Sequence, residues 1–250
     1  MNFHTFGNEN NQVMVLIHGM LTPWQIWEDA AEHFSKDYYV IVPELDGHTE
    51  EEESELISVE DEAEKIRQYL LDHCSGKVSV VAGLSLGGRI SAVLAGMPGL
   101  HIDSLIIDGA PLVKIPGLYI SVMTKNYIQI IQKSRKKDPK VIKSFQSFLP
   151  EKFLDDYLKL ADHMGEQSIR NVMKSVFDSF DFKTYDGDMR ILFMHGTKGN
   201  EIVSGKSAVK MKKANPQTEI KVFKGYAHAE LACFKSGDWI REVSDWLGEK

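Results

Sequence analysis

Cysteine is scarce in this chain. Cys74 and Cys233 stand far apart among 250 residues and have neither metal-ligand nor redox spacing, so they read as free thiols and not as a disulfide bridge. Long apolar runs are missing too. Nothing approaches the roughly 20 residues of a membrane span, and no transmembrane helix is expected. The opening Met1-Asn2-Phe3-His4-Thr5-Phe6-Gly7 lacks both a basic start and an apolar core. No secretory signal is expected, and a cytoplasmic location follows as the default. Positive charge is in deficit: the formal net charge is −7, which argues against a nucleic-acid partner. The basic segment Lys133-Ser134-Arg135-Lys136-Lys137 reads as a solvated helix face or loop, because Asp138-Pro139 follows it. The acidic run Glu50-Glu51-Glu52-Glu53-Ser54-Glu55 reads as an exposed loop. No His/Cys/carboxylate cluster has ligand spacing and no glycine loop is built to cradle phosphate, so neither a metal nor an organic cofactor is expected. Internal repeats and low-complexity segments are absent as well.

What the chain does have is a globular balance, 43% hydrophobic and 26% charged, at a length that suits one large α/β domain carrying an insertion. Val13-Met14-Val15-Leu16-Ile17 and Tyr38-Tyr39-Val40-Ile41-Val42 are continuous apolar runs that read as buried parallel strands. Between them Trp24, Trp27, Ala31 and Phe34 recur at helical spacing, with Thr22 as the expected N-cap and Pro23 at the first helical position. Ser58 and Asp61 open a second helix whose face is Val59, Ala63, Ile66 and Leu70. Further strands are expected at Ser104-Leu105-Ile106-Ile107, Ile191-Leu192-Phe193-Met194 and Ile220-Lys221-Val222-Phe223, and a last helix carries Trp239, Val243, Trp246 and Leu247. From about Leu112 to Tyr185 the patterns are helical without a convincing strand. The expected organisation is a mostly parallel, doubly wound sheet from residues 1–110 and 186–250, interrupted by a helical cap over 111–185.

The most informative segment is Gly83-Leu84-Ser85-Leu86-Gly87. It directly follows Val78-Ser79-Val80-Val81-Ala82 and directly precedes a helix-like stretch, so it reads as strand, sharp turn and helix with a serine at the apex. Glycines on both sides permit that turn, and Gly88 adds a small residue where the helix passes close to the sheet. In open α/β sheets ligands bind at the carboxyl ends of strands. Those ends supply Ser85, His18-Gly19-Met20, the loop His195-Gly196-Thr197-Lys198-Gly199-Asn200-Glu201 and the loop Gly225-Tyr226-Ala227-His228.

The order Ser85, an acid near residue 200, then His228 is a nucleophile-acid-base order used by one scaffold among the serine hydrolases. On these residues the chain resembles the α/β-hydrolase family over nearly its whole length. The resemblance implies that Ser85 is the nucleophile and His228 the general base. It also implies that the backbone amides of Met20 and Leu86 form an oxyanion hole and that His18 is structural beneath that loop. His195 reads as the last residue of its strand and not as a base. The acid departs from the family pattern, since its usual slot is Gly199. Three candidates stay open: Glu201, if the loop carries a short insertion; Asn200, which could orient the imidazole without neutralising it; and Asp108, at the end of an earlier strand. Glu201 is favoured because a carboxylate stabilises the imidazolium formed during attack.

A serine with this apparatus attacks acyl carbon, so the expected partner is a small-molecule ester or thioester with a fairly hydrophobic acyl group, split through an acyl-enzyme. Leu118, Tyr119, Ile120, Val122, Met123, Tyr127, Ile130 and Ile131 could line its pocket. The alternative is a small-molecule receptor, or a weakly hydrolytic binding protein, on the same fold.

Overall fold

The computed structural model describes residues 1–248. Strands β1 (Asn2–Phe6), β2 (Gln12–Ile17), β3 (Tyr38–Glu44), β4 (Lys77–Leu84), β5 (His101–Asp108), β6 (Arg190–His195) and β7 (Thr218–Val222) form a single sheet in the order β1-β3-β2-β4-β5-β6-β7. All neighbours run parallel except β1, which pairs antiparallel with β3 at the edge. The helices are α1 (Glu28–Phe34), α2 (Val59–Cys74), α3 (Leu86–Ala95), α4 (Gly117–Arg135), α5 (Pro139–Phe145), α6 (Leu154–His163), α7 (Glu166–Val176), α8 (Glu201–Ala214) and α9 (Ser236–Leu247).

The central strands read as unbroken apolar runs because both faces are covered, and successive side chains serve different layers. Met14, Leu16, Val40, Val42, Val80 and Ala82 face one core, which α1, α9 and the segment between β5 and β6 cover. Val13, Val15, Ile17, Ile41 and Val81 face the other, under α2, α3 and α8. The first layer is anchored by Trp27 of the α1 entry against Trp239 of α9, ring centroids 4.7 Å apart.

Local signals behave as their chemistry dictates, with two corrections. Ser58 caps α2, its Oγ accepting from the Asp61 amide at 3.0 Å, and Val59, Ala63, Ile66 and Leu70 are buried. Thr22, in contrast, is no N-cap: its hydroxyl donates to the Gly19 carbonyl at 2.8 Å, and the helix begins as a 3-10 turn over Trp24–Trp27 with Pro23 in the cap position. The hydroxyl serves the loop above the sheet, a tertiary demand that overrides the local preference. Strand β1 escaped the sequence reading because Asn2-Phe3-His4-Thr5-Phe6 is short and half-buried; edge strands carry little apolar signal.

Between β5 and β6 the described chain is helical, α4 to α7, without a strand. Arg89 of α3 fastens both ends of this excursion. Its guanidinium is buried and donates to the carbonyls of Pro111 at 3.2 Å and Val176 at 3.0 Å, and to those of Asp178 and Ser179 at 3.3 Å each. Arg89→Met therefore strands buried carbonyls at both junctions. We expect a loss of about 2–3 kcal/mol, read from urea unfolding, with faster amide exchange confined first to the junction residues.

Candidate active site

The strand order reverses between β2 and β4, and the crevice this opens lies above the carboxyl ends of those strands. Ser85 sits there, as the single residue between β4 and α3. Its backbone is forced to φ 54° and ψ −107°, which a non-glycine residue adopts only under strain of about 1–3 kcal/mol. The neighbours explain why glycine flanks it. A Cβ on Gly83 would lie 2.3 Å from the Gly87 carbonyl, and one on Gly87 would lie 2.1 Å from the Ile17 oxygen. Sheet and helix thus touch backbone to backbone, and the Ser85 amide is held by the Asp108 carbonyl at 2.7 Å.

Ser85 Oγ lies 2.9 Å from His228 Nε2. On the far side of the ring, His228 Nδ1 is paired with Glu201 Oε1, and the other carboxylate oxygen accepts the Gly196 amide at 2.8 Å. Glu201 is the first residue of α8, where helix amides favour an anion, and the loop before it spends Lys198-Gly199-Asn200 on a turn with Gly199 at φ +62°. Burial alone would raise the Glu201 pKa, but the His228 hydrogen bond and charge and the Gly196 amide outweigh it and hold the carboxyl below its usual range.

The two other acid candidates are placed differently. Asn200 occupies the α8 cap position, its side chain makes no cap hydrogen bond, and it lines the cavity described below. Asp108 is buried close by, but its Oδ2 has no hydrogen-bond partner among the described residues. Burial first, then the neighbouring Glu201 charge, push its carboxyl up to about 7. Gly109 passes between them: a Cβ there would stand 3.2 Å from both Glu201 Oε1 and His228 Nδ1, and its φ is +62°. Gly109→Ala is expected to lower turnover by about tenfold or more through displacement of the Glu201–His228 pair, measured against a preserved unfolding transition.

Two buried histidines shape the loop after β2. His18 Nδ1 donates to the Gly19 carbonyl at 2.9 Å while its Nε2 accepts the Leu45 amide at 3.1 Å. His48 Nδ1 donates to the Asp46 carbonyl at 3.1 Å, and its Nε2 accepts the Leu21 amide at 3.2 Å. Each ring uses one nitrogen as donor and one as acceptor, which only neutral imidazole can do. Burial accordingly lowers their pKa values to about 4 and about 3. No periodicity or motif in the sequence marks His48, which stands just past the end of β3. His195 closes β6 and stays outside the hydrogen-bonded chain, contacting the Gly196 carbonyl at 2.6 Å.

Above Ser85 opens a cavity of about 1190 Å³. Ser85, His228, Met20 and Leu86 form part of its lining. Of the apolar residues named from the sequence, Tyr119, Met123 and Tyr127 of α4 line it, joined by Phe148, Met173 and Phe177. Leu118 and Val122 instead face solvent, and Ile131 is buried in the core that the insertion shares with the sheet, because α4 presents only one of its faces to the cavity.

The sequence matches the family model of the alpha/beta hydrolase fold over residues 12–230. The chain belongs to that family. Within the alpha/beta hydrolases, a curated relative is an AB hydrolase superfamily protein of Gibberella zeae, 26% identical over 125 residues, which span 48% of this chain and 43% of that protein. The matched stretch thus spans less than half the length of that relative. Among solved structures, an alpha/beta hydrolase family protein from Desulfitobacterium hafniense superposes with a TM-score of 0.77 at 19% identity, covering 98% of this chain and all of the other. A structure from a study of carboxylesterases of Nitrososphaera gargenis gives 0.73 at 16% identity over 99% and 93% of the two chains. An esterase of Exiguobacterium antarcticum gives 0.71 at 16% identity over 99% and 95%. At these identities the likeness establishes the fold. In this alpha/beta hydrolase, no helix among the described residues is long and apolar enough to cross a membrane.

Proposed function

We propose that this chain is a serine hydrolase that cleaves carboxylic esters or thioesters of a small to medium hydrophobic acyl group through an acyl-enzyme. The observation that carries this reading is the unbroken hydrogen-bonded chain Glu201–His228–Ser85 beside a cavity lined mostly by apolar residues. In the first half-reaction, Ser85 Oγ bonds to the carbonyl carbon as its proton passes to His228 Nε2, with Glu201 stabilising the imidazolium. The oxyanion is received by the amides of Met20 and Leu86; the latter opens α3, where the first helix amides have no intrahelical partner. His228 then returns its proton to the departing alkoxide or thiolate as the carbon–oxygen or carbon–sulfur bond breaks. Water repeats the sequence on the acyl-enzyme, giving the acid and free Ser85. The helical segment between β5 and β6 serves as a cap that walls the acyl pocket with α4.

Hydrolysis of p-nitrophenyl esters of graded chain length tests this reading, together with fluorophosphonate labelling located by peptide mass spectrometry. Turnover with a label on Ser85 is expected. No turnover, or labelling elsewhere, would leave a receptor on the same fold as the better description.

A further inference from the structure

The cavity wall contributed by α8 has a composition that hydrolysis itself does not require. Ile202, Lys206 and Lys210 recur every four residues and so share one helix face, with Val209 beside them, and all four line the cavity. Ile202 and Val209 are 62% and 66% exposed, apolar side chains left open towards solvent on the same wall as the two lysines. Lys114 lines the cavity too but faces the Asp178 carboxylate at 3.7 Å; Lys210 Nζ lies over the Phe182 ring, 5.9 Å from its centroid, a contact that leaves its charge uncompensated by any carboxylate among the described residues. Among the described residues no carboxylate lines the cavity. This basic wall belongs to a chain of net charge −7, and the acid that opens α8, Glu201, is buried against His228. The backbones of Lys206 and Lys210 lie about 7.5 and about 13.5 Å along the helix axis from Glu201, one to three turns beyond the residue that contacts His228.

Building on the hydrolase reading, we propose that the substrate is amphiphilic and carries an anionic group, carboxylate or phosphate, which Lys206 and Lys210 hold at the rim while its apolar portion lies along Ile202, Val209 and the α4 wall. The two lysines are specificity determinants remote from the chemistry. They touch the anion, not the scissile bond.

Matched substrates distinguish where the anion sits. p-Nitrophenyl octanoate is compared with mono-p-nitrophenyl suberate, which bears a carboxylate at the end of the acyl chain, and phenyl octanoate with 4-(octanoyloxy)phenyl phosphate, which bears phosphate on the leaving group. In the native chain at least one anionic member is expected to exceed its neutral partner about tenfold in kcat/KM, a preference that shrinks as ionic strength rises. Lys206→Gln/Lys210→Gln is expected to abolish that preference while leaving the neutral esters within about twofold. Equal rates for charged and neutral members, or a preference that survives the double substitution, overturns the proposal. Calorimetric titration of Ser85→Ala, with and without the lysine substitutions, using monomethyl suberate and octyl phosphate against 1-octanol, applies the same criterion to binding. If no ester is turned over, the hydrolase reading fails, and the titration still decides whether the lysines select an anion.

Discussion

If the chain works as the proposed serine hydrolase, Glu201→Gln is expected to lower kcat/KM for ester hydrolysis by about 10³- to 10⁴-fold, and Asp108→Asn to change it by less than about tenfold. The size of the first effect follows from which atom glutamine must place where. Gly196 donates its amide to Glu201 Oε2, so that position demands an acceptor and takes the glutamine oxygen. The glutamine NH₂ is thereby turned onto His228 Nδ1, where Glu201 Oε1 had accepted. Facing a donor, the imidazole moves its proton to Nε2. The lone pair that should take the Ser85 proton is then gone, although the packing is unchanged. Asp108 makes no hydrogen bond to His228, and its substitution leaves the tautomer alone. Steady-state kinetics on the two variants provide the check, with the rate of Ser85 fluorophosphonate labelling expected to fall in parallel for Glu201→Gln only. The reverse ranking would move the acid to the end of β5.

Much of this arrangement could be read from residue order, for physical reasons that differ by element. The parallel strands announce themselves because both faces are buried, and the turn at Ser85 because close backbone contact leaves room only for glycine at positions 83 and 87. Residue order leaves the partner of His228 open because spacing in a loop is set by turn geometry: the Lys198-Gly199-Asn200 turn puts the carboxylate that contacts His228 at the first position of α8. Two features were invisible for a different reason. The His48 contact with the Leu21 amide and the Arg89 clasp on four carbonyls are long-range and polar, and neither periodicity nor propensity encodes such pairings. The lining of the cavity was legible only by residue type, since the sequence does not say which face of α4 turns inward.

The buried carboxyl of Asp108, close to Trp239 and with Oδ2 lacking a hydrogen-bond partner among the described residues, leads to the second large effect, on stability. A buried carboxylate whose pKa rises from 3.8 to about 7 makes the folded state hold a proton that the unfolded chain releases. Its ionised form costs about 4 kcal/mol above pH 7, and that cost is relieved as pH falls from about 7 to about 4. Asp108→Asn, isosteric with the protonated acid, is therefore expected to stabilise the fold by up to about 4 kcal/mol at pH 8 and by almost nothing at pH 4. The shape of the native profile follows from the opposing groups. Glu62, buried beside Asp46 and likewise raised to about 7, acts in the same direction as Asp108. His18 and His48 act against them: held neutral when folded, they let the unfolded chain take up protons below its ordinary 6.5, which removes stability as pH falls towards 4. Two groups pull each way between about pH 5 and 6.5, and the native chain is expected to be nearly flat there. Removing Asp108 leaves the histidines one group ahead. Asp108→Asn should then lose about 1.4 kcal/mol per pH unit across that window, a slope that urea unfolding at half-unit steps resolves. An advantage for Asp108→Asn that is independent of pH would show that the Asp108 carboxyl is solvated or partnered in the folded protein, and that its burial beside Glu201 does not govern its protonation.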